Sequence, residues 1–393
     1  MRAVGEGRLT NTSDAFNEHI NRCLGCRACE QVCPAGVEYG QLLESSRAEL
    51  RAVRPISGIT NRLLGLILRH VWLQPRRLRI ALAGTRIFRD SGVAGVLLKL
   101  RIAKLISARL EFALALLESS APEESARRKK TPNVQAQKPT DTKPSRSSVM
   151  LFTGCVTEAL FSRVNQATAR VLEANNFAVT IPTQQVCCGA LHAHAGDLEG
   201  ARVLARQNIQ AFTDSEAASI ITNAGGCGAM LSSYDHLLAH DEELAADAKL
   251  FSARVRDVSQ QLQTVAVRKG SSLGEGMVTY DASCHLLYGQ HAADASLEML
   301  QTIPDLPFVG LQGSERCCGG AGIYNLVEPE MSQGVLREKL TQIQMAGANI
   351  LTTGNPGCQM QIGAGARLAG CPLRVCHPVE LVDESYRRAG YYD

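Results

Sequence analysis

The sequence predicts an α/β chain. Its main part reads as two successive units with parallel sheets, preceded by a smaller, mostly helical segment. Three observations predict this. Short apolar runs alternate with helical stretches from residue 149 onward. The cysteines of that part recur at a period near 130 residues. And residues 23–34, "CLGCRACEQVCP", place four cysteines at C-x2-C-x2-C-x3-C before a proline, far from any strand pattern.

"VMLF" (149–152), "AVTIP" (178–182) and "ASIITN" (218–223) read as buried strands, and "RVNQATARVLEAN", "DLEGARVLARQNIQAF" and "GAMLSSYDHLL" as helices. A βαβα order implies a parallel sheet covered by helices, a Rossmann-like unit. The order then repeats. Cys155 follows one strand and Cys284 another, "CCGA" (187–190) is matched by "CCGG" (317–320), and "IITNAGGC" ending at Cys227 by "NILTTGNPGC" ending at Cys358. From lone cysteine to pair there are 31 and 32 intervening residues, and from pair to final cysteine 38 and 39. Three matched features mean a duplicated domain. The expected units are 149–265 and 275–393.

Ahead of them, 1–50 is expected to be a partial ferredoxin-type segment, 51–125 a helical basic amphipathic region, and 126–148 a linker. In "GVAGVLLKLRIAKLISARLEFALALL" apolar Val93, Val96, Leu97 and Leu100 recur at helical spacing, with Lys99, Arg101 and Lys104 between them. The stretch 126–148 is rich in Pro, Ser, Thr and Lys and too poor in apolar residues to order itself.

Net charge is only +3, yet residues 51–130 hold seventeen Lys/Arg against five Asp/Glu. A basic face suits an anionic membrane surface or a partner, and a set of solvated helix faces is the plainer reading. The start carries no secretory signal and no run of about 18 apolar residues occurs, so the expectation is a cytoplasmic chain, with the basic region allowing a peripheral position at the inner face of the cell membrane. Disulfides are rare there, so fourteen cysteines argue for metal or redox chemistry.

Thiolates spaced by two residues wrap a compact turn, so Cys23, Cys26 and Cys29 can face one 4Fe-4S cluster. In two-cluster ferredoxin modules the fourth cysteine, here Cys33, ligates the other cluster. Only one such motif is present. Either all four cysteines bind one cluster, or the module is incomplete, with Cys371 a remote candidate for the fourth ligand. Cys371 is otherwise expected in the last strand region. Structural zinc is the competing reading, although zinc motifs usually come as two separated C-x2-C pairs.

In an open parallel sheet, ligands bind off the carboxyl ends of strands. Cys155, Cys187, Cys188 and Cys227 would gather at one such edge, and Cys284, Cys317, Cys318 and Cys358 at the other. Gly189 and Gly319 let the backbone approach an inorganic core, with N–H groups free to bond its sulfurs. Each copy therefore reads as an iron–sulfur or zinc site. Eight cysteines packed as small hydrophobes are the alternative, which the repeated spacing opposes. His192, His194 and His285 sit near these cysteines but are not taken as ligands, and Cys376 reads as a core thiol at a strand end.

At these residues the chain resembles the cysteine-rich CCG family, which includes glycolate oxidase iron–sulfur subunits and subunits of heterodisulfide reductase, lactate-utilisation and anaerobic glycerol-3-phosphate dehydrogenase complexes. "CLGCRACEQVCPAGVEYGQLLESSR" resembles a second ferredoxin motif, "CCGALHAH" and "CCGGAGIYNL" the two CCG boxes, and "NPGCQMQI" the final cysteine turn. There are two departures. The family has an earlier C-x2-C-x2-C-x3-CP motif, and this chain begins after it, so a truncated or misassigned start is expected. The heterodisulfide version closes each repeat with C-x2-C, whereas Met230 and Gln361 stand at the second thiol here.

The resemblance implies an electron-transfer subunit of an oxidoreductase. A separate FAD-binding glycolate oxidase subunit would oxidise a 2-hydroxy acid, and 4Fe-4S clusters on this chain would pass electrons to a quinone-type acceptor. No strand-following G-x-G-x-x-G holds FAD here, no catalytic base or nucleophile stands out, and nothing calls for nucleic acid. A heterodisulfide-reductase-like catalyst and a zinc-stabilised interaction module are the alternatives. The missing C-x2-C thiols oppose the first, and iron with acid-labile sulfide would exclude the second.

Overall fold

The computed structural model describes residues 1–53, 59–122, 147–213 and 217–392. Most of the expected linker lies outside the described residues, and its last two residues already belong to β1 (Ser147–Leu151). β1, β2 (Phe177–Thr180), β3 (Ser219–Thr222) and β4 (Val255–Asp257) form one parallel sheet in the order β2-β1-β3-β4. Apolar β1 is buried on both faces, as a covered parallel strand should be. Val149 and Leu151 join one core, Met150 and Phe152 the other, as the two-residue period of a strand requires. β4 has no counterpart in the sequence reading, because three residues, two of them charged, leave no apolar run.

The second unit is α/β as well. β5 (Val278–Asp281), β6 (Ile350–Thr353) and β7 (Arg374–Cys376) run parallel in the order β5-β6-β7. Cys376 is buried at the end of β7. Cys371 follows the helix Pro356–Leu368, whose first turn carries Cys358. A 13-residue helix is about 20 Å long, so Cys371 sits at the end remote from the second-repeat cysteines.

The two units share one apolar core that runs from Val149 and Leu151 through Val278 and Tyr280 to Val382. The helix Ser162–Ala174 packs on Pro378–Arg388, where Arg170 grips Asp383 with two bonds of 2.8 Å and Arg163 meets Glu380 at 2.7 Å. At the strand ends the final cysteine turns face each other. The Gly225 N–H donates to the Gly354 carbonyl (2.9 Å) and that of Gly226 to Asn355 Oδ1 (3.2 Å).

The N-terminal segment holds helices Asp14–Arg22, Ala28–Gln31 and Tyr39–Val53 around a small core of Phe16, Ile20, Leu43 and Leu50. Residues 59–119 are helical but interrupted. Pro75 opens Pro75–Asp90, Gly92 and Arg101 adopt positive φ (79° and 57°), and Ser107 caps Ala108–Ser119. The stretch read as one amphipathic run is thus three helices, and Val93, Val96 and Leu100 of its apolar series are exposed. Other parts dock on the repeats. Ala108–Ser119 packs on Pro356–Leu368, and buried Arg89 donates to the Ser120 and Leu160 carbonyls. Among the described residues no helix is long and apolar enough to cross a membrane.

Candidate metal centre

The first group of sulfurs lies beyond the ends of β1, β2 and β3. Cys155 Sγ meets Cys187 Sγ at 3.5 Å, and Cys188 Sγ meets Cys227 Sγ at 3.4 Å. The pair itself is held from behind. Asn208 donates to the Cys187 carbonyl (3.0 Å) and accepts from the Val186 N–H, while Tyr234 donates to the Cys188 carbonyl (2.8 Å). Gly189 leaves the pair at φ 90°. A neighbouring thiol and burial together push the Cys155 thiol well up.

The second group is buried throughout: Cys284, Cys317, Cys318 and Cys358. Cys318 Sγ and Cys358 Sγ are 3.2 Å apart. The N–H groups of Gly319 and Gly320 point at Cys317 and Cys318 Sγ (3.4 and 3.5 Å), and Asn355 Nδ2 at Cys358 Sγ (3.5 Å). Gly319, at φ 84°, is required, because a Cβ there would lie 2.5 Å from the Ser332 carbonyl oxygen. Cys317 accepts from Cys284 and Cys318, which holds it well below the usual thiol range while Cys284 and Cys318 are pushed up. Four thiols in so little water cannot all ionise unless cations join them, so the donor set suits a positively charged metal core.

The N-terminal motif forms the third group. Burial, with nearby cysteine sulfurs adding to it, raises the thiols of Cys26 and Cys29. Cys33 lies near Cys29 and adds to the raising of its thiol. The amides of Val37, Ala35 and Gly36 bond the Cys33 sulfur and lower its pKa. Cys26 packs with Leu24 and Ala28 onto the buried set of Cys284, Tyr288 and Cys317.

All twelve cysteines named from the sequence thus fall into three groups, and Cys371 joins none of them. His285 turns its Nε2 to the Gly25 carbonyl (3.2 Å) and stacks on His194, whose Nδ1 meets Glu44 (3.2 Å). Burial pushes His285 down to about 4, so it is a neutral donor to that carbonyl. His192 is fully buried with Nδ1 on Asp197 (2.9 Å). The residues at the missing thiols have other work. Met230 packs in the apolar core, and Gln361 bonds Asn325 and Ser332.

Sequence reading missed a buried ion pair. Lys339 Nζ sits 2.7 Å from Asp281 Oδ1, both 2% exposed, and donates to the Gly313 and Ser314 carbonyls just before the second cysteine pair. An aspartate closing an apolar strand and a lysine on a helix were its only signals. A cavity of about 410 Å³ beside it is lined by Cys26, Cys317, Tyr288 and Lys339. A larger one, about 500 Å³, lies between the N-terminal helices and the loops after both cysteine pairs, with Arg47, Arg51, Leu64, His194 and Tyr324 in its wall.

Duplicated parallel α/β units, each delivering a CC-Gly box and two strand-end cysteines to one edge, define a class of cysteine-rich domain protein. A family profile described as a cysteine-rich domain, CCG, matches residues 149–232 and 278–363. The chain is 33% identical to a probable glycolate oxidase iron-sulfur subunit of Bacillus subtilis, over the whole of this chain and 87% of the relative. It is 28% identical to the glycolate oxidase iron-sulfur subunit of Escherichia coli, over 94% of this chain and 83% of that one. It is 32% identical to lactate utilization protein A of Geobacillus kaustophilus, over 60% of this chain and 98% of that one. The chain belongs to the CCG cysteine-rich family that contains the glycolate oxidase iron-sulfur subunits.

Proposed function

We propose that this chain is the iron–sulfur subunit of a 2-hydroxy-acid oxidase, acting on glycolate or a close analogue through a separate flavoprotein. The observation that carries this is the gathering of twelve cysteines into three groups within one molecule, two of them at the carboxyl edges of duplicated sheets. The names of the relatives supply the reaction class.

Cys23, Cys26 and Cys29, with Cys33 at their margin, would hold a 4Fe-4S cluster. Cys155, Cys187, Cys188 and Cys227, and Cys284, Cys317, Cys318 and Cys358, would hold further iron–sulfur centres. Bound there, such clusters supply one-electron transfer. The chain's own part is to exclude water, hold the sulfurs in place and aim N–H groups at them, as Gly319, Gly320 and Asn355 do in the second repeat. The zinc reading has less support. Relatives matched over nearly the whole chain are named iron-sulfur subunits, and structural zinc motifs usually come as two separated C-x2-C pairs.

A quinone-type acceptor at the inner face of the cell membrane completes the reading. It is supported by exposed Leu63, Leu66, Ile80, Ile87, Leu105 and Ile106 on helices that also carry the local excess of arginine and lysine. The test is oxygen-free purification of the full chain with iron and acid-labile sulfide assay, followed by a search for a co-purifying flavin subunit. Iron with matching sulfide and a flavoprotein partner are expected. A zinc-loaded chain without sulfide would overturn the reading.

A further inference from the structure

Resting on the iron–sulfur reading, we propose that the second-repeat centre is the middle station of three. The N-terminal centre would touch it through Cys26, the first-repeat centre would touch it through the Cys227 turn, and the two outer centres would not be neighbours.

Four observations place the N-terminal motif on the second repeat. Cys26 packs into the same buried set as Cys284 and Cys317. Cys26 and Cys317 line one cavity. The loop between Cys23 and Cys26 is pinned there by the bond from His285, the residue after Cys284, to the Gly25 carbonyl. And Tyr324, six residues beyond Cys318, donates to the Arg22 carbonyl next to Cys23 (2.7 Å). Cys26 of one motif therefore packs on the buried set that holds Cys284 and Cys317 of the other.

Contact between the N-terminal segment and the first repeat is of another kind. It is made chiefly by Tyr39–Val53, whose Arg47 also donates to the Cys23 carbonyl (2.6 Å), while Gly25 and Arg27 of the cysteine loop face Gly226 and Ala229 across a small cavity of about 100 Å³. Arg47 donates to the His194 carbonyl (3.1 Å), Arg51 to that of Ala195 (3.3 Å), and Glu44 meets His194. These residues lie beyond the Cys187–Cys188 pair, on the helix Ala190–His194 and its end. Among the described residues, the buried set on which Cys26 packs holds Cys284 and Cys317 and no cysteine of the first repeat.

The two repeats, by contrast, meet at their cysteine turns. The helix Gly225–Leu231, which holds Cys227, packs on the π-helical turn His285–Gly289 that follows Cys284. A Cβ on Gly225 would lie 2.9 Å from the Leu286 N and Cβ and 3.0 Å from Ser283 Oγ. So the glycine run "AGGC" lets one cysteine turn close on the other.

Coupling between neighbouring paramagnetic centres tests this order. Electron paramagnetic resonance of the fully reduced, anaerobically purified full chain would be compared with Cys318→Ser, Cys188→Ser and Cys29→Ser, iron per chain being assayed in each. Cys318 is chosen because it lies away from Cys26. The wild-type second-repeat signal should be broadened by both neighbours. Cys318→Ser should sharpen both remaining signals. Cys188→Ser should leave the N-terminal signal broadened, and Cys29→Ser should leave the two repeats coupled. Broadening that survives between the outer centres in Cys318→Ser, or three signals with no mutual coupling, would overturn the order while leaving the iron–sulfur reading intact. An iron-free wild-type chain would instead sink the reading on which the order rests.

Discussion

The two repeats carry the same cysteine spacing yet surround it differently. In the first, Phe152 near the end of β1 joins the apolar core, and neutral Asn208 steadies the loop before the cysteine pair. In the second, the strand ends in Asp281, and Lys339 steadies the corresponding loop. Gly189 lies against Ala201 and Gly319 against Ser332, which aligns the two helices and sets Asn208 opposite Lys339. Duplication has kept the sulfurs, and the walls have diverged. A charged, fully buried site and a more apolar, partly open one give two centres of the same ligand type different electrostatic surroundings.

The largest expected effects come from the sulfurs. Cys187→Ser and Cys317→Ser should each lower iron per chain. The loss should be greater for Cys317→Ser, because Cys317 meets both its own repeat and the N-terminal group. Unchanged iron in both variants would count against the repeat sites.

Next is the ion pair. Asp281→Leu leaves Lys339 buried without its partner, and the expected cost is about 3–5 kcal/mol of folding stability. The double change Asp281→Phe with Lys339→Asn, which copies the first repeat, should recover most of it. Denaturant unfolding of the single and double variants decides. A double variant no better than Asp281→Leu would mean that the divergence of the two walls is not confined to this pair.

The caps after the last strands offer a comparison in pH. Asp257 caps Val258–Leu262 and His377 caps Pro378–Arg388, each in a capping box. Burial raises Asp257 to about 6 and lowers His377 to about 4. Asp257 thus contributes stability that is full below its unfolded value near 3.8 and is lost as pH rises through about 6. His377 contributes stability that is full above about 6.5 and is lost as pH falls through about 4. Each is worth on the order of 3 kcal/mol at its limit. Unfolding at stepped pH should flatten on opposite sides for Asp257→Asn and His377→Asn, and parallel changes in the two variants would refute the assignment.

The smallest effect separates the two CC-Gly turns. Both glycines need positive φ, so alanine at either should cost about 1–3 kcal/mol. Gly319→Ala should fall at the upper end, since its Cβ would meet the Ser332 carbonyl at 2.5 Å where that of Gly189 meets Ala201 Cα at 3.3 Å. Equal melting temperatures for the two variants would contradict this.

Much of this was legible in the sequence because sulfur chemistry is local. Apolar runs gave β1, β2, β3, β5 and β6, and cysteine spacing gave the duplication, since each cysteine must follow a strand to reach the common edge. Short β4 was not legible, because a three-residue strand leaves no period to read. Nor were the breaks at Gly92 and Arg101, where the apolar series runs on through the interruption. The Asp281–Lys339 pair escaped because its partners are 58 residues apart, and a lone charge in an apolar element looks like a misplaced surface residue. The docking of Cys26 on Cys317 joins residues 291 positions apart, which no local spacing reveals.

The central claim is that these thiols grip iron and sulfide. Its most direct test is the iron and acid-labile sulfide content of the full chain purified without oxygen, with its resonance spectrum after reduction. The account predicts a coloured protein in which iron and sulfide match and paramagnetic signals appear on reduction. A colourless chain, free of iron and with all fourteen thiols open to titration once unfolded, would contradict it.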